Sequence, residues 1–168
     1  MSTVGSEGRS YKSIDIHDLT ALALIARRDR EDFFSSHLDW AKAYEKRFLC
    51  SALCQGAAKH FCDFQTGIND FDVYSFFLNN PARRWYAKRL KTYDFGNAKF
   101  GQSIDAPTLV GRRVDCMGRA IDVNKGEGPV AALRRYLHEG RTTTAKLLAQ
   151  KAVVLLEPTC GVVVWRSS

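Results

Sequence analysis

Two aspartates, Asp70 and Asp72, stand one residue apart in NDFDVYSFF (residues 69–77), among Phe, Val and Tyr side chains of strand-forming type. Asp is disfavoured in strands and costly to bury, so a pair of them there needs a reason. In a strand, residues i and i+2 share a face, with side chains roughly 6.5–7 Å apart along it. Asp70 and Asp72 therefore point one way, and Phe71 and Val73 the other, toward a core. Two carboxylates so placed repel unless a positive charge lies between them. A hard divalent cation such as Mg²⁺ suits them, since it binds one or two carboxylates together with substrate phosphates. Asp115 lies in a second strand-like run, RRVDCMGRAI. If the two strands pair, three acids converge, a set able to hold the metals of an in-line displacement at phosphorus. The alternative is an ordinary ion-pair role, with Asp70 and Asp72 held by Arg112 or Arg113.

A phosphate site has a candidate upstream. In CQGAAKHF, Gly56 falls at a turn into a helix, where unpaired N–H groups and the helix dipole attract anions. Lys99, between Gly96 and Gly101, is a candidate for a mobile loop closing over a triphosphate. The DFG triplet at 94–96 comes without a Gly-rich ATP loop or an HRD-type segment, which excludes a protein kinase. Cys50, Cys54, His60 and Cys62 lack the paired knuckle spacing of a zinc site, and His60 reads as a packing residue. Five cysteines at irregular spacing read as reduced thiols.

A Gly-small turn opening a helix, an hDhDh strand about a dozen residues later and a third Asp on a following strand resemble the DNA polymerase β-type nucleotidyltransferase superfamily. The resemblance spans about residues 45–120 and rests on Gly56 and Ala57, Asp70 and Asp72, and Asp115. It implies an α+β fold, a small mixed β-sheet flanked by helices. It also implies transfer of a nucleoside monophosphate from a nucleoside triphosphate to a hydroxyl acceptor, with Mg²⁺ or Mn²⁺ as cofactor. By this resemblance Asp70 and Asp72 bind the metal that carries the triphosphate. Asp115 joins them and helps activate the acceptor, and Gly56 lets phosphates approach the backbone. Ala57 stands where the family usually has Ser, leaving backbone N–H groups to do the binding. The competing reading is a non-catalytic module of the same fold that binds nucleic acid or a protein partner, for example as a toxin–antitoxin component.

These residues need elements to position them. With 168 residues, the chain forms one domain able to bury roughly 70% of its unfolded surface. Residues 1–14 read as a flexible polar tail and 15–168 as a single domain, its core at about 45–120, with helices and a strand at 129–168 packed on it. The opening stretch lacks an apolar signal core and no run approaches a membrane span, so a cytoplasmic protein without membrane contact is expected. IDIHDLTALALIARRDREDFF has helical periodicity, with Asp18 as N-cap, and a second helix is expected over about 39–47. Residues 48–54 fit strand or helix equally. Residues 78–109 read as a long connection, 129–139 as a helix between Pro129 and Gly140, and VVVW as a terminal strand. The net charge of +7 favours an anionic partner. From Arg83 to Arg119 nine basic residues face three acids, and PARRWYAKRLK interleaves them with Trp85 and Tyr86, a composition suited to nucleic acid.

Overall fold

The aspartate-bearing run becomes β2 (Phe71–Leu78), so Asp70 lies just before the strand and Asp72 inside it. The computed structural model describes residues 8–85 and 89–168. Two helices precede the first strand, α1 (Ile16–Ser36) and α2 (Leu38–Tyr44), the latter running into a 3-10 turn over Glu45–Arg47. Then come β1 (Phe48–Cys54), α3 (Gln55–Asp63), β2, β3 (Leu90–Asp94) and β4 (Arg113–Ile121). The remainder is α4 (Pro129–Glu139), α5 (Thr143–Leu148), β5 (Ala152–Glu157) and β6 (Val163–Arg166).

The strands form one six-stranded sheet in the order β3-β4-β2-β1-β5-β6. β2 and β4 are parallel, and the other neighbours are antiparallel. That parallel pair brings the N-terminal ends of β2 and β4 to the same edge of the sheet. β1 resolves as a strand because β2 and β5 flank it and residues Cys50–Cys54 are buried on both faces; such a strand reads as an unbroken apolar run.

Helices cover both faces. On one, Leu53, Phe71, Val73, Val114 and Val154 pack with Leu19, Leu22 and Ala26 of α1 and Ala57 and Ala58 of α3. On the other, Ala52, Tyr74, Phe76 and Leu155 pack with Leu133 and Leu137 of α4 and Leu148 of α5. The molecule is a mixed α+β structure with a helix-flanked mixed sheet. Among the described residues no helix is long and apolar enough to cross a membrane.

Several expectations are corrected. The N-cap of α1 is Asp15: its carboxylate accepts from the Asp18 N–H at 3.0 Å, and Asp18, three residues in, accepts from the Asp15 N–H at 2.9 Å. Residues 8–14, expected as tail, lie against the domain. Ser10 exchanges backbone hydrogen bonds of 2.9 and 2.7 Å with Ile68, and Ser10 and Ile14 are buried. Residues 1–7 lie outside the described residues. The fully buried Arg112 fastens this segment, donating to the carbonyls of Gly8 (2.7 Å), Asn69 (3.3 Å) and Phe100. The long connection contains β3, a short and largely exposed edge strand.

Trp85 packs inward rather than forming part of an open stacking surface. Its ring stacks on Phe77 at 4.8 Å and meets Tyr44 edge-on at 5.0 Å. Gly118 makes room for it, since a Cβ there would lie 2.6 Å from the Trp85 ring. Two basic residues of the segment are likewise engaged: the Arg83 guanidinium sits 4.3 Å from the Trp40 ring centroid, and Arg89 forks onto Asp29. Tyr86 and Lys88 lie outside the described residues.

Candidate carboxylate site

The parallel pairing sets Asp72 directly opposite Asp115, with Phe71 beside Val114 and Val73 beside Cys116. Phe71 and Val73 enter the core, as strand alternation requires. Asp115 is buried and Asp70 and Asp72 are half-buried. On the far side of β4, Thr92 of β3 pairs with Asp115, and its hydroxyl donates to Asp115 Oδ1 at 2.9 Å. Ser103, buried in the loop after β3, donates to Asp70 Oδ1 at 3.0 Å and accepts from the Arg113 N–H at 3.0 Å.

Arg113, the first residue of β4, lies among these acids. Its guanidinium donates to Asp70 Oδ2 at 2.8 Å and to Asp105 Oδ2 at 2.6 Å, and its Nε lies 3.4 Å from Asp115 Oδ2. The ion-pair alternative thus holds for Asp70, with Arg113 rather than Arg112 as partner, and Arg113 reaches Asp115 in place of Asp72. The terminal nitrogens of Arg112 donate to backbone carbonyls.

The electrostatics follow from crowding. Burial first, then Asp115 and Asp70, push the Asp72 carboxyl up to about 6, against the pull of Arg113 and Lys151. Asp70 is raised mainly by burial, which outweighs the Ser103 hydrogen bond and Arg113. Burial works to lower the Arg113 guanidinium, but Asp70, Asp115 and Asp105 raise it overall. One arginine therefore does not balance the cluster.

The anion candidate lies at the adjoining strand end. Cys54, the last residue of β1, is opposite Asp72 and leads into α3. Gln55 takes a left-handed φ of 64°, and no side chain caps the first turn, so the N–H groups around Gly56 and Ala57 lack that partner. A Cβ on Gly56 would make only ordinary contacts, the nearest being Lys151 Nζ at 3.9 Å. Packing within the protein thus does not demand glycine at this position. Lys151, exposed just before β5, links this turn electrostatically to Asp72.

Lys99 is elsewhere. Its ammonium pairs with Asp15 at 3.2 Å and Asp18 at 2.6 Å, on the cap of α1, and not with the carboxylate cluster. His60 is buried in α3, its Nδ1 donating to the Thr66 carbonyl at 2.7 Å. Arg113 was named from sequence as an ion-pair partner, whereas Lys151, Ser103 and Thr92 were not identified, since each reaches the cluster only through sheet pairing or loop closure. Among the described residues no group of three or more His, Cys, Asp or Glu side chains is arranged around one metal position. Asp72 and Asp115 lie in register, and Arg113 stands between Asp70 and Asp115. Comparisons with protein-family models, curated proteins and solved structures return no match, so the function is argued from this geometry and from the sequence motifs.

Proposed function

We propose that the chain is a Mg²⁺- or Mn²⁺-dependent nucleotidyltransferase of the DNA polymerase β type, moving a nucleoside monophosphate from a nucleoside triphosphate to a hydroxyl acceptor. The observation that carries this reading is the in-register pair Asp72–Asp115 with Asp70 two residues before Asp72. The donors are of the type a hard cation takes. They are carboxylate oxygens, and burial, with Asp115 and Asp70 beside it, pushes the Asp72 carboxyl up to about 6. Asp70, Asp72 and Asp115 would hold the ion, which when bound supplies positive charge at the reacting phosphate and makes the acceptor hydroxyl easier to ionise.

The protein's own groups do the rest. The N–H groups at Gly56 and Ala57 donate to phosphate oxygens, and Lys151 adds a cation beside them. Asp115, which accepts a hydrogen bond from the Thr92 hydroxyl, would take the acceptor's proton. Calorimetric titration of ATP, GTP, CTP and UTP, with and without Mg²⁺ or Mn²⁺, tests this. The expected result is metal-dependent binding of at least one triphosphate, abolished in an Asp70→Asn/Asp72→Asn double variant. No binding with either metal would overturn it.

A second reading is supported by Arg113 filling the cluster and by Ala57 in place of a serine. In it the fold is kept as a non-catalytic module for nucleic acid or a protein partner, as in a toxin–antitoxin pair. Metal-independent nucleic-acid binding that weakens steeply with salt would favour this version.

A further inference from the structure

Arg113 touches the carboxylate cluster directly, and its anchoring is one-sided. Its side chain is about a quarter exposed, at 27%, while those of Asp70 and Asp115 are 11% exposed and that of Asp105 is 60% exposed. The guanidinium thus spans two sheltered acids and one at the surface. Its backbone N–H is tied through Ser103 to the same Asp70, so the loop carrying Ser103 closes over the guanidinium's partner. An arginine stays charged at any working pH, and its planar fork matches several carboxylate oxygens at once. A divalent ion on Asp70 and Asp115 would need oxygens that this fork already engages, and the two cations would repel.

We propose that Arg113 is an internal counter-ion that keeps Asp70 and Asp115 closed to a free divalent ion and yields them when metal and triphosphate arrive together. This rests on the nucleotidyltransferase reading above. Phosphate oxygens offer a guanidinium charge-assisted partners to replace the carboxylates it gives up. Asp105, at the surface, can keep one arm of the fork while the other turns away. The consequence is coupling: the metal alone binds weakly, the triphosphate strengthens its binding, and by linkage the metal strengthens triphosphate binding by the same factor.

The test is Mn²⁺ titration followed by electron paramagnetic resonance. It compares wild type, Arg113→Lys and Arg113→Gln, with and without a non-hydrolysable ATP analogue, after circular dichroism has confirmed folding. Without nucleotide, Arg113→Gln should bind Mn²⁺ about tenfold or more tightly than wild type, the scale of one lost competing charge-assisted pair. Arg113→Lys should fall between, because a lysine ammonium is a point charge that cannot fork across the acids. It also retains the compensating charge, so it carries the test if the glutamine variant does not fold. The analogue should tighten Mn²⁺ binding in wild type and do so less in the variants. Equal affinity in all three proteins, or weaker binding in the variants, would overturn the counter-ion role while leaving the transferase reading in place. Mn²⁺ that binds none of them, even with the analogue, would overturn both.

Discussion

Asp72 bears the electrostatic strain of the cluster. In the unfolded chain its carboxyl titrates near 3.8, and folding lifts it to about 6 through burial, Asp115 and Asp70. Between those values the folded state holds the proton more tightly than the unfolded one. Stability therefore falls as pH rises through this window, and the loss is complete above about pH 6. Asp72→Asn keeps the shape and removes the charge. In EDTA at pH 7.5 it should be more stable than wild type by on the order of 1–3 kcal/mol, with the gain vanishing near pH 4. Urea denaturation at both values checks this; a variant no more stable at pH 7.5 would show that the cluster carries no such strain. The acids were legible in the sequence because strand alternation turns a spacing of two into a shared face. Lys99 was not: its flanking glycines suggested a loop near the acids, while the carboxylates it meets, Asp15 and Asp18, are far away in the chain. Pairs of that kind leave no local pattern.

Elements were readable where burial imposes a period and unreadable where it does not. β2, β4 and α4 were anticipated from apolar alternation or from a proline start and glycine stop. β3 was missed because LKTYD is short, polar and mostly exposed, as edge strands are. Yet β3 supplies Thr92 to Asp115. Gly118 on β4 likewise looks like an interruption in the strand until Trp85 is seen resting on it. Gly118→Val should cost about 1–3 kcal/mol by forcing that ring off its seat. Tryptophan emission should shift to the red, reporting an indole displaced from its packing against Phe77. Unchanged stability and emission would mean that the aromatic cluster adapts without loss.

Across the whole molecule, the strands that carry the acids are central rather than appended. β2 and β4 lie side by side within the sheet, β1 ends opposite Asp72, and α3 packs in the main core. Ligand binding there should be felt as global stability. A Mg²⁺–triphosphate complex at 100 times its Kd contributes about 2.7 kcal/mol, or a Tm increase of roughly 5–11 °C for a chain of this size. A thermal scan should show that rise with triphosphate and Mg²⁺ together and lose it in Asp70→Asn/Asp72→Asn. The α+β class was expected from the family resemblance rather than from the alternation of elements. The strand order could not be read from the sequence, because nothing in residues 152–157 announces that β5 pairs with a strand a hundred residues earlier.

That connectivity bears on how the chain is made. β1 lies between β2 and β5, so a ribosome must deliver residues 152–157 before the second side of β1 is covered. Until then a nascent chain presents a strand rich in buried-type residues, Leu49 to Cys54, with unpaired backbone groups along one edge. Such edges bind one another readily. Stalled or prematurely released chains should therefore be the aggregating species, and yield from overexpression should depend more on chaperone supply during synthesis than on the stability of the finished protein.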